Sequence, residues 1–417
     1  MQIPLHTPAR KYLFLIACGL VVALYITLSA ASFLSQSFSR KTDSQSLAWA
    51  VRLSPGNAEA QSLMGNYYLL SEHSPDRALE YFRTATALNP YKSRYWLELA
   101  HARQALDKPD EQATAIEHAL AMAPRTPSVA WEAGNLYTIA GDRPRALAQF
   151  REVLQGAPTM AARTIPMAWR VSPNVDTFLN DLLPPNPEVY YALLDFLMAR
   201  KETASVGRAW DQLAELRQPL RKERIFELIR FLLRQQDVEK ARMAWKQAAA
   251  LCDLQPYQPT SDNLIVNGDF DHAVLNAGFD WTFTRSKDVT LAIDPVQTHS
   301  SHRSLLITFD ALKLYEAGIH QLIPVTPETT YDFSAFFKTE ALEGAGGPRF
   351  ALMDAYDSSL AFASGDLSSS DSWKEVRGSF TTGPSTKLLA LMVQRVPRES
   401  AIRGKLWITG LRLRQKD

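Results

Sequence analysis

Residues 58–90 read AEAQSLMGNYYLLSEHSPDRALEYFRTATALNP, and residues 127–158 read PSVAWEAGNLYTIAGDRPRALAQFREVLQGAP. Each carries a small residue, then an aromatic, then a closing proline at matching offsets. Pro55, Pro90, Pro124 and Pro158 are spaced 35, 34 and 34 residues apart. Gly65, Ala100 and Gly134 keep the same interval, and so do Phe82, Ile116 and Phe150. A period near 34 with this punctuation predicts stacked helix–turn–helix units. The small residues let paired helices approach closely, the large ones fill the space between them, and proline stops the second helix.

The stretch 43–158 resembles the tetratricopeptide repeat (TPR) family. Met64-Gly65, Tyr68, Ala78, Phe82, Ala85 and Pro90 match the first unit. Trp96, Leu99, Ala100, Ala119 and Pro124 match the second, where Gln112 and Ile116 replace the usual alanine and aromatic. Gly134, Tyr137, Ala146, Phe150 and Pro158 match the third, and Leu47, Ala50 and Pro55 match a second helix alone. The resemblance implies an α-solenoid whose first helices line a groove for protein partners. The residue after each Gly/Ala position would face that groove: Asn66, His101 and Asn135. Such a ladder suits an extended peptide backbone; the alternative is ordinary solvated polar side chains. Trp96 and Trp131 read as packing residues. Residues 159–186, with Pro166, Pro173, Pro184 and Pro185, read as a proline-rich connector holding short helices. Residues 187–255 read as further TPR-like helices, and the arginines from Arg217 to Arg224 as a solvated face rather than a phosphate site.

Upstream, no charged residue lies between Lys11 and Arg40. Residues 12–34 are apolar enough for one membrane helix, which needs roughly 20 such residues. A cleaved signal peptide ending at Ser29-Ala30-Ala31 is the alternative. A lipoprotein reading of Leu15-Ile16-Ala17-Cys18 is weakened by the apolar residues that continue past Cys18. Arg10 and Lys11 before the span slightly favour a cytoplasmic tail at 1–11, with the body periplasmic in a two-membrane bacterium.

At Pro256 the composition changes. A linker at 256–262 leads into runs rich in Val, Ile, Phe, Tyr and Thr, separated by Gly, Pro, Asp and Ser. Period-2 alternation predicts strands at 263–267, 279–284, 289–293, 304–309, 316–323, 330–338, 348–354, 374–381, 387–394 and 404–413, the pattern of a β-sandwich. Asn263-Leu-Ile-Val-Asn-Gly-Asp-Phe-Asp271 with Gly278-Phe-Asp-Trp281 resembles the opening of carbohydrate-binding-module jelly rolls. Gln321-Leu-Ile-Pro-Val-Thr-Pro327, Tyr331-Asp-Phe333, Trp373-Lys-Glu-Val376 and Leu406-Trp-Ile-Thr-Gly-Leu-Arg-Leu413 resemble its later signatures. The resemblance spans 263–413 and implies a galactose-binding-like jelly roll over 263–417. It also implies a weak metal candidate at Asp271, in doubt because Thr409 stands where an Asp is usual. Trp281 and Trp373 match core positions. Sugar binding needs exposed rings and a few polar groups, for which Tyr315, Phe336, Arg349, Tyr356 and Trp407 are the candidates.

The fold class expected is therefore multidomain, α then β: an N-terminal transmembrane helix, a TPR-type solenoid and a C-terminal sandwich. The formal net charge of +1 gives no overall basic footprint for nucleic acid. The two cysteines, Cys18 and Cys252, are far apart in sequence and point to neither a disulfide framework nor a metal cluster. Walker, Rossmann, His-Glu-x-x-His and Gly-x-Ser-x-Gly motifs are absent. No cofactor is implied. The leading reading is a non-enzymatic adaptor of the bacterial inner membrane. It would dock proteins through its repeats and polysaccharide through its sandwich, and it resembles TPR proteins of exopolysaccharide synthesis and export. A pure assembly scaffold is second. A glycan-active enzyme, whose paired carboxylates need only proximity in space, is third.

Overall fold

The computed structural model describes residues 8–41, 43–368, 370–397 and 400–416. Helix α1 (Pro8–Ser39) contains a segment, Lys11–Ser39, long and apolar enough to cross a membrane, with mean hydropathy 2.4. The helix runs past the expected end at residue 34. Its last turns lie against α2 (Ser44–Leu53), whose N-terminus Asp43 caps by accepting from the Ser46 amide. Ser35 is fully buried there; its hydroxyl donates to the Ala50 carbonyl at 2.9 Å. The end of α1 thus stands where the half-unit lacks a first helix.

Three helical hairpins follow: α3 (Ala58–Leu70) with α4 (Pro75–Leu88), α5 (Ser93–Ala105) with α6 (Pro109–Met122), and α7 (Pro127–Ile139) with α8 (Arg143–Gly156). Each second helix ends one residue before the cap that precedes a closing proline. Ser54, Asn89, Ala123 and Ala157 all take φ between −139° and −144°. Proline disfavours the α conformation in the residue before it, which stops the helix there. Within each hairpin the small residue and the large residue are both buried, Gly65 and Gly134 included. The chain then turns through short pieces: a 3-10 turn (Pro158–Met160), α9 (Ala161–Val171), α10 (Val175–Thr177) and a π turn (Phe178–Leu182). α11 spans Pro187–Ala199.

The chain packs as two compact units, Met1–Phe196 and Leu197–Asp417, so the boundary falls inside α11. The composition shift at Pro256 marks where helix gives way to strand, a later point in the chain. In the second unit α12 (Thr203–Glu215), α13 (Lys222–Arg234) and α14 (Val238–Ala248) precede ten strands among the described residues. One sheet has the order β1 (Thr282–Phe283), β4 (Glu316–Pro324), β9 (Leu388–Arg395), β6 (Pro348–Asp354), β7 (Leu360–Ala363). The other has β2 (Val289–His299), β3 (His302–Ala311), β10 (Ile402–Gln415), β5 (Thr330–Gly344), β8 (Lys374–Thr381). All pairings are antiparallel. The inner faces alternate as expected: Tyr331, Phe333, Ala335 and Phe337 are buried while Phe336 is not. They close a core with Phe270, Trp281, Phe350 and Leu391.

Two expectations are corrected. Residues 263–267 form no strand. The Asn263 side chain there accepts from the Leu413 and Ile265 amides, in place of a regular ladder. Trp373 is half-buried rather than a core residue, with its ring 5.6 Å from that of His299.

Candidate functional site

In the repeats, the face carrying the polar ladder is built from α3, α5 and α7. The Asn66 amide on α3 donates to Glu98 on α5 at 2.9 Å. Glu98 also accepts from Ser62 at 2.6 Å and pairs with Arg94 at 3.2 Å. Burial pushes the Glu98 carboxyl up, against those hydrogen bonds and the Arg94 charge. One unit on, His101 on α5 meets Glu132 on α7 at 3.0 Å. The residue one after the small position therefore bonds to the residue two before the small position of the next unit, 31 or 32 residues away. The third rung lacks its mate: at that distance from Asn135 stand Pro166 and Met167, neither a side-chain donor. The Asn135 Oδ1 is buried with no partner among the described residues. Two rungs thus stitch successive units together, while the third, Asn135, keeps an unengaged buried acceptor among the described residues.

The five sandwich candidates divide between the two sheets. Phe336 stands on the outer face of β5, stacked on His299 at 4.0 Å. Trp407 is 3 % exposed, and its indole N–H donates to Asp294 at 2.8 Å. Both rings are therefore engaged by the protein itself. Arg349, on β6 of the other sheet, forms an ion pair with Asp366 at 2.6 Å. Tyr315 is exposed just before β4, with its carbonyl accepting from the Arg395 amide at 2.8 Å. Tyr356 follows β6 and donates to the Leu233 carbonyl at the end of α13, at 2.9 Å.

That last bond marks a cleft of about 500 Å³ between α13 and the β1–β4–β9–β6–β7 sheet. Trp245 of α14 helps to set its geometry. Its ring meets Phe279 edge-on at 5.8 Å and leaves no room for a side chain at Gly278, whose φ is +66°. His320, which points outward from β4 because Ile319 and Gln321 are buried, lines the cleft. Burial lowers the pKa of its imidazole. Of the sequence-derived candidates only Tyr356 lies here; His320, Asn276, Arg230 and Arg234 were not anticipated. The spacing of Arg230 and Arg234 placed them on one helical face, but nothing in the sequence placed that face over a sheet.

Asp271 is engaged by the protein's own side chains. Its carboxylate meets His302 at 2.5 Å and accepts from the Arg303 amide at 3.2 Å, while the Arg303 guanidinium bonds the Asp271 carbonyl. Thr409, at the position where the resemblance led one to expect an Asp, donates to the Arg303 carbonyl at 2.6 Å. Among the described residues no cluster of three or more His, Cys, Asp or Glu side chains could hold a metal.

Residues 262–398 match the family described as "Carbohydrate binding domain". A solved structure described as "CBM4 structure and function" is similar at 13% identity, over 36% of this chain and 99% of its own, with TM-score 0.29. A MamA protein crystal structure is similar at 15% identity over 35% and 83%, TM-score 0.29. Pseudomonas aeruginosa PilF is similar at 16% identity over 54% and 91%, TM-score 0.29. No curated protein sequence matches the chain.

Proposed function

We propose that this protein is a non-enzymatic, membrane-anchored adaptor that docks protein partners through its TPR units and binds glycan through its sandwich. The observation that carries the reading is the carbohydrate-binding match over 262–398, on a chain that also bears helical repeats. The process it serves is exopolysaccharide or cell-envelope polysaccharide assembly or export. The apolar helix anchors it in the inner membrane with residues 1–11 cytoplasmic and the bulk periplasmic; the basic residues before the span support that orientation. Because α1 passes directly into the half-unit, the solenoid starts at the bilayer surface.

The test is affinity electrophoresis of the full-length protein in nanodiscs through gels containing neutral or acidic polysaccharides. Retardation in at least one gel supports the reading, and unaltered migration in all of them rejects it. Such a rejection favours a pure assembly scaffold, the reading that the covered rings of Phe336 and Trp407 support.

A further inference from the structure

In the cleft between α13 and the β1–β4–β9–β6–β7 sheet the charged lining side chains are arginines, while Asp237 and Asp354 act on Tyr356, and Glu316 on His320, from behind the lining. Arg230 and Arg234 line it, and no Asp or Glu does. Both arginines are exposed, and neither joins an ion pair among the described residues. Six residues before Arg230 on the same helix, Arg224 is paired with Glu227. Four residues apart, the two guanidiniums share one face of α13 and together suit a carboxylate, which guanidinium binds through paired N–H groups. Opposite them Asn276, Thr282, His320 and Tyr356 supply short-range donors and acceptors. Phe226, Leu322 and Leu388 add apolar walls. Polar groups in small number around apolar walls are the pattern of a small-molecule site.

We infer that this cleft binds an acidic sugar residue of a polysaccharide, with Arg230 and Arg234 on the carboxylate and the sheet side chains on the ring hydroxyls. The inference rests on the glycan-binding reading of the sandwich and deepens it, since it makes α13 part of the sugar site. The imidazole of His320, whose pKa burial lowers, offers in its neutral form one donor and one acceptor to neighbouring hydroxyls. The Tyr356 hydroxyl, already donating to Leu233, retains acceptor capacity. Phe226 or Leu322 faces the apolar side of the pyranose ring.

The experiment is calorimetric titration of the full-length protein in nanodiscs with oligogalacturonate and with a neutral oligosaccharide of equal length. The wild type is compared with Arg230→Ala/Arg234→Ala, whose exposed side chains leave the fold intact by circular dichroism melting. The expected result is binding of oligogalacturonate at least tenfold tighter than the neutral sugar, with the preference lost in the double variant. Equal binding of both sugars, unchanged in the variant, would overturn the inference and leave the glycan reading standing. No binding of either would remove both. Displacement of oligogalacturonate by equimolar inorganic phosphate would make the cleft a plain anion site and also overturn the inference.

Discussion

The ring of Phe82 lies 2.6 Å from where a β-carbon on Gly65 would stand. The same relation joins Gly134 to Phe150 at 2.8 Å. In the middle unit the two positions are Ala100 and Ile116, both fully buried. The small and large positions thus vary together: glycine opposite an aromatic ring, alanine opposite a branched aliphatic.

Adding one methyl group at Gly65 therefore forces the Phe82 ring out of place. Gly65→Ala should cost about 1–3 kcal/mol, the range for overpacking a filled core. Phe82→Ile in that background recreates the middle unit's pairing and should recover part of the loss. Urea melts of the four combinations form a double-mutant cycle. Strict additivity of the two substitutions would show that the positions do not share one space.

Asp280 gives the sandwich a pH dependence. It is 1 % exposed; Oδ2 accepts from the Leu275 amide at 2.7 Å, and Oδ1 has no partner among the described residues. Burial pushes the carboxyl up to about 6 from 3.8. Between those values the folded protein holds a proton that the unfolded chain has released. Stability from this group is then complete below about pH 4 and is lost as pH rises through about 6, by roughly 3 kcal/mol. Asp280→Asn removes the titration. Thermal melts from pH 4 to 7 should show the wild type falling relative to the variant, and parallel curves would dismiss Asp280 as the source.

How far the sequence could be read follows from the range of the interactions involved. Helix ends and the Gly65–Phe82 type of pairing recur at a fixed period, and the strand faces alternate by two, so both were legible. β7, four residues long, is too short to show alternation. The segment after Asn263 has strand composition but uses an asparagine side chain in place of a ladder. Asn66, His101 and Asn135 were placed on one face, but their acidic mates lie in the next unit. The signal was present in Glu98 and Glu132, each two residues before the small position. The cleft was invisible because α13 and β4 lie far apart in the chain and no repeat ties them together.

At Asp271, burial raises the carboxyl, but the hydrogen bonds from His302 and Arg303 outweigh it and hold the pKa below the usual value. Arg303 supplies positive charge where a bound ion would, so chelation should not shift the melting midpoint. A resident ion at 100 times its Kd would contribute roughly 2.7 kcal/mol, which chelation would remove. Arg303→Ala should instead cost about 1 kcal/mol and leave the protein as insensitive to calcium as before. A midpoint that rises on adding calcium to the wild type would contradict this arrangement.

The two cysteines report on the membrane helix without any engineered probe. Cys18 is exposed on α1 inside the apolar segment, so in a bilayer lipid must cover it. Cys252 is half-buried, and burial pushes its thiol up to about 11. At neutral pH only about one part in 10⁴ of such a thiol is thiolate, the reactive form. Wild-type protein in sealed vesicles should therefore resist a membrane-impermeant maleimide, then label fully in SDS. Arg40→Cys, one residue past the end of α1 and beyond the buried Ser35, should label when the body faces outward. Rapid labelling of Cys18 in intact vesicles would exclude the span. A mature protein whose mass shows the loss of residues through Ala31 would instead mark the segment as a cleaved signal.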